Sequence, residues 1–159
     1  MITLIMHGRF PQKQRLENFA SDVINHFFKR DRKENITIAI DMQTSLDGND
    51  AGYCVDYGVH NHGSFGRKNG KIRTIAITLS RNYIDAEEDE NFPYTVREIA
   101  STLAHELVHA KQYIRRELTA KSLNLGLGAL KNDKSLEYKD LPWEKEAYGL
   151  EEELIALYW

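Results

Sequence analysis

The sequence has almost no cysteine: Cys54 is the only one among 159 residues, which excludes an internal disulfide and points to a reducing compartment. It has no excess of basic charge either. The formal net charge is -3, which supplies none of the attraction that a nucleic acid partner calls for. No stretch approaches the roughly 20 apolar residues that span a bilayer, so no membrane partner is expected. The opening run from Met1 to Met6 is too short for the apolar part of a signal peptide, and no basic residues precede it. A cytoplasmic location is the expectation. Repeats and linkers are also missing. At this length, residues 1–159 are expected to form a single domain whose core needs no staples.

What is present is periodic. From about Gln12 to Lys29, Leu16, Phe19, Ala20, Val23, Ile24, Phe27 and Phe28 recur at three- and four-residue spacing, one apolar face of a helix. Residues 2–6 read as a short strand. Ile36, Ile38, Ile40 and Met42 alternate with other residues, as do Tyr53, Val55, Tyr57 and Val59, and Ile75, Ile77 and Leu79; these are three more strands. The loops between them carry glycine and asparagine, which suits hairpins. An acidic stretch from Asp85 to Glu90 reads as a solvated loop.

Thr95 and Glu98, with Pro93 just outside, have the form of a capping box. They open a helix that buries Val96, Ile99, Leu103, Leu107, Ala110 and Ile114 and is expected to reach about Leu118. Residues 119–141 show no clear period and contain Gly126 and Gly128. A loop this long in a compact domain is usually functional, which makes it a candidate lid or substrate-selecting element. Pro142 suits the first turn of a last helix, with Trp143, Ala147, Leu150, Leu154 and Leu157 as its apolar stripe.

Within the longer helix lies His105-Glu106-Leu107-Val108-His109. Histidines four residues apart lie about 40° apart around a helix, so both imidazoles can reach one ion. Zinc accepts imidazole nitrogen, and a catalytic zinc site takes one more protein ligand and keeps a position for water. Glu106 is the expected catalytic residue, taking a proton from that water and returning it to a leaving amine.

No histidine follows His109. This excludes a third histidine downstream, as in the metzincin and SprT-like patterns, and a carboxylate is the natural substitute. Candidates are Glu117, Asp133, Glu137, Asp140, Glu144, Glu146 and Glu151 to Glu153. A ligand on a helix is held better than one on a loop, which favours Glu144 or Glu146. Their side chains leave the helix about 200° apart, and both border the apolar stripe, so helical geometry does not choose between them.

The segments His105-Glu-Leu-Val-His-Ala-Lys-Gln-Tyr113 and Leu141-Pro-Trp-Glu-Lys-Glu-Ala-Tyr148 resemble the small gluzincin-type metallopeptidases of bacteriophage genomes. The Glu144-Lys-Glu-Ala147 element is also similar to the downstream helix of ImmA/IrrE-type peptidases and of other minimal gluzincins. The resemblance covers about residues 93–155 and implies that Glu144 is the third ligand, with Glu146 the alternative. It also implies a bacterial host cytoplasm. Many gluzincins carry Asp or Asn four residues after the ligand, where this chain has Tyr148. A phenol there can hydrogen-bond an imidazole or donate to an oxyanion.

Other residues have plainer readings. His60-Asn61-His62 is read as two exposed histidines in a turn, or as a rim that touches substrate. Tyr53 and Tyr57 are packing residues that could serve an oxyanion. Gln112 and Tyr113 close the helix against its neighbours, Cys54 is a buried strand residue, and Glu151 to Glu153 are a solvated helix face.

The fold class expected is α+β, zincin-like: a helix on a small, mainly antiparallel sheet, then the metal helix and a C-terminal helix bearing the third ligand. The strand at about 72–79 precedes the metal helix directly, and in zincin folds a sheet edge commonly lies along the cleft, where it can hold an extended peptide. The function expected is zinc-dependent hydrolysis of a protein or peptide substrate, with one Zn2+ per chain. The rivals are a catalytically silent binding module of the same fold and a SprT-like protease acting on DNA-bound proteins. The intact Glu106 opposes the first rival. The lack of a basic tail or a cysteine-rich ribbon opposes the second.

Overall fold

A computed structural model describes residues 1–29, 34–62 and 70–159. The chain begins with strand β1 (Ile2–His7), helix α1 (Lys13–Phe27) and strand β2 (Asn35–Gln43). β1 and β2 pair in parallel, which the crossover through α1 makes feasible. A loop with a short 3-10 turn leads to β3 (Gly52–His62), which pairs antiparallel with β4 (Gly70–Ser80). β4 lies between β2 and β3, parallel to β2, so the sheet order is β1-β2-β4-β3.

The sheet is therefore mixed, and two of its three pairings are parallel. This corrects the expectation of a mainly antiparallel sheet. Alternation located the strands, but α1 turns the chain back into the same direction. β3 does not pair with the strand before it. Of the expected hairpins only β3–β4 forms. Its turn, and the side chains of His60 and His62, lie outside the described residues.

The strand expected beside the cleft is likewise displaced. β4 is interior, and β3 is the edge. A second, two-stranded sheet of β5 (Asn82–Ile84) and β6 (Asn91–Pro93) stands between β4 and the next helix. The acidic residues 85–90 form its exposed tip.

Helix α2 (Val96–Ile114) starts as its sequence predicts. Thr95 Oγ1 accepts from the Glu98 amide, while Glu98 accepts from the Thr95 amide at 2.7 Å. It ends before Leu118, where Arg116 takes a left-handed conformation with φ of 60°. Residues 119–141 are not a structureless loop. They contain helix α3 (Ala120–Asn132), capped by Thr119 and Ser122, and a 3-10 turn at Tyr138–Asp140. Helix α4 (Pro142–Tyr158) follows with Pro142 in its first turn.

One core joins these parts. Ile36, Ile38 and Ile40 of β2 and Ile75, Ile77 and Leu79 of β4 are at most 1% exposed. They pack in one cluster with Leu16 and Phe19 of α1, Leu103 and Leu107 of α2, and Leu154 of α4. The alternation seen in the sequence is thus a sheet with one face buried under helices. No helix among the described residues is long and apolar enough to cross a membrane.

Candidate metal centre

Three side chains from two helices converge. The Nε2 atoms of His105 and His109 stand 3.1 Å apart. Glu144, from the first turn of α4, sets one oxygen 3.1 Å from His105 Nε2 and the other 3.2 Å from His109 Nε2. The potential ligand atoms all lie within 4.8 Å of one another. His109 and Glu144 are buried, and His105 is half-buried.

The outer nitrogens decide what this arrangement means. His109 Nδ1 faces the Gln112 side-chain oxygen at 2.8 Å. The amide nitrogen of Gln112 donates to the Trp143 carbonyl and to Glu146, so its oxygen is the acceptor and His109 Nδ1 carries the proton. His105 Nδ1 lies 3.3 Å from the Glu151 carboxylate, which also accepts from Ser101. Neutral imidazoles so arranged point two Nε2 lone pairs at each other and at a carboxylate. Two imidazole nitrogens and a carboxylate facing one point could hold a metal ion.

With no ion among them, the Glu144 carboxylate favours protonation of both rings instead. Burial lowers the His105 pKa, but hydrogen bonds to Glu144 and Glu151 outweigh it and lift the value to about 9. Burial likewise opposes the charged form of His109, whose pKa is nevertheless raised, chiefly by Glu144. The Glu144 carboxyl would rise on burial, yet the two histidines pull it down to about 2. Glu106 is only 5% exposed and faces the same cleft. Burial raises its pKa to about 7 against the pull of His109 and His105.

The other candidate ligands lie elsewhere. Glu146 closes on buried Lys111 and accepts from Gln112. Glu117 lies 3.1 Å from Lys111. Asp133 accepts from Ser135, and Glu137 pairs with Lys139. Tyr148 sets its ring against His105, with centroids 4.6 Å apart; it is Glu151 that bonds the outer nitrogen. Glu151 is therefore not part of a solvated face, which corrects the reading of that acidic run. Its spacing of seven from Glu144 places both on one side of α4, a signal the sequence held. Gln112, three residues past His109, was similarly placed to reach that histidine.

The centre sits in a cleft of about 620 Å³. Asp50, Gly52, Tyr53 and Cys54 form one wall. Tyr57 is 67% exposed, and Cys54 is only partly buried. Burial, then the charge of Glu106, pushes the Cys54 thiol pKa well up. Gly52 lets the edge strand approach α2: a Cβ there would stand 2.9 Å from Thr102 Cγ2 and 3.1 Å from the Thr78 carbonyl oxygen.

Comparison with protein families, curated proteins and solved structures finds no match to this chain.

Proposed function

We propose that the chain is a zinc-dependent peptidase, with His105, His109 and Glu144 holding the ion and Glu106 moving the proton. The observation that carries this reading is the convergence of two imidazole nitrogens and a buried carboxylate on one point, with both outer imidazole nitrogens already engaged. Two imidazoles and a carboxylate are a donor set that suits zinc. When bound there, zinc would supply a lowered water pKa and a polarised carbonyl.

The chain's own groups do the rest. Glu151 and Gln112 hold the two imidazoles in orientation. Glu106, in the turn between the histidines, accepts a proton inside the cleft and delivers it to the leaving amine. The open edge of β3 at Gly52, Tyr53 and Cys54 offers main-chain donors and acceptors to an extended peptide. This favours a peptide bond over a small-molecule bond as the target.

The test is metal content by mass spectrometry on protein purified without added metal, together with peptide turnover. About one equivalent of zinc, lost in His105→Ala, is expected. Glu106→Gln should keep the zinc and lose turnover. Protein that binds no zinc even when offered it would overturn the assignment, and undiminished turnover in Glu106→Gln would remove Glu106 from the mechanism.

A further inference from the structure

The two ends of the cleft differ. Asp50, Thr102 and Glu151 line one end. Beyond His109, the lining becomes Tyr113, Leu118, Leu123, Tyr138 and Trp143, none of which carries a formal charge at neutral pH. Tyr113 lies on α2 eight residues past His105, a rise of about 12 Å, and Trp143 stands at the start of α4. The apolar end is therefore offset from the ion site along the axis of α2.

Three of these residues, Leu118, Leu123 and Tyr138, come from the segment between the two helices that carry the candidate ligands. Leu123 is carried by α3, and Tyr138 by the 3-10 turn. Their placement rests on close packing. Gly126 brings α3 against the indole of Trp143; a methyl group at 126 would overlap that ring and approach Leu141 Cδ2 to 3.3 Å. Tyr138, although 54% exposed, lines the cleft beside Trp143 and Glu144. The wall thus packs on Trp143. Leu123 is half-buried and lines the cleft, while α3 contributes no fully buried residue to the core.

We infer that this apolar end selects substrates, and that the chemical class selected is a peptide with a large aliphatic or aromatic side chain beside the scissile bond. The inference rests on the peptidase reading above but has its own test. Burying such a side chain among these residues, with no charge left unpaired, favours it over alanine and over aspartate.

The experiment uses Trp143 as its reporter. The chain has two tryptophans, so Trp159→Phe leaves Trp143 alone, and Glu106→Gln prevents turnover. The zinc-loaded double variant is titrated with acetylated, amidated Ala-Ala-Xaa-Ala peptides, where Xaa is Phe, Leu, Ala, Asp or Lys, and Trp143 fluorescence is followed. Phe and Leu should bind at least about tenfold tighter than Ala or Asp. Leu123→Ala and Tyr138→Ala, each with unchanged circular dichroism, should shrink that preference several-fold.

Equal binding of all five peptides overturns the inference, as does no binding by any, or a preference unchanged in both variants. Wild-type digests of the same peptides separate the two readings. Cleavage without preference defeats the pocket alone. Apolar preference in binding without cleavage of any peptide leaves the pocket and defeats the peptidase.

Discussion

Glu144 and Glu146, two residues apart on α4, hold different partners: Glu144 spans both histidine Nε2 atoms, while Glu146 closes on Lys111 and Gln112. Glu144→Ala should therefore weaken zinc binding by more than the roughly 10–100-fold that loss of an outer partner costs. Glu146→Ala should leave zinc affinity within a few-fold. It should instead lower stability by about 1–3 kcal/mol, because buried Lys111 is left to Glu117. Chelator competition and urea unfolding measure the two effects, and the reverse pattern would exchange the roles.

The outer partners make a second prediction. Glu151→Ala and Gln112→Ala should each cost about 10–100-fold in zinc affinity with the triad intact. Glu151→Gln should cost less, since an amide oxygen still accepts from His105 Nδ1. Equal losses in Glu151→Ala and Glu151→Gln would mean that charge, and not orientation, is what Glu151 contributes.

Acid stability should depend on Asp56. Burial pushes its pKa up, but hydrogen bonds from Arg73 and the Gly58 amide outweigh this and hold it below the usual 3.8. Arg73 also donates to the Tyr113 carbonyl at 2.7 Å, so the pair links the edge strand to the end of α2. A lowered folded-state pKa stabilises above the unfolded value, and the gain is lost as pH falls through the folded value. Asp56→Asn should cost about 1–2 kcal/mol at neutral pH, discounted for partial exposure. The cost should vanish in strong acid. A penalty that persists unchanged at pH 2 would contradict this origin.

Gly52→Ala should destabilise by about 1–3 kcal/mol through overpacking. Thr102→Ser removes the methyl that stands 2.9 Å from the new Cβ, so the double variant should recover part of the loss. Thermal or urea unfolding of the four proteins forms the cycle. Full additivity would show that Leu79 and the Thr78 carbonyl, each 3.1 Å from the new Cβ, and not Thr102, set the limit.

Much of the site could be read before the fold was known, because a helix turns i, i+4 spacing into proximity without reference to the rest of the chain. The same local logic located α1, the cap of α2 and the strands. It could not order the strands, since β4 inserts between β2 and β3 through contacts that alternation does not encode. Nor did it find α3. Leu123, Leu125 and Leu127 recur every second residue and two glycines interrupt them, which suits neither a helical stripe nor strong helix propensity. The cap formed by Thr119 and Ser122 was the available sign. The choice between Glu144 and Glu146 depends on where α4 crosses α2, and helical period alone carries no such information.

Helix α3, with no fully buried residue and Leu125 at 67% exposure, has a consequence for hydrogen exchange. Its amides should exchange through local opening at far less than the free energy of global unfolding, whereas those of Ile75, Ile77 and Leu103 should approach the global limit. The two helices that carry the candidate ligands would then keep their protection while one wall of the cleft comes and goes. The protein would present a rigid centre beside a wall that opens at low cost.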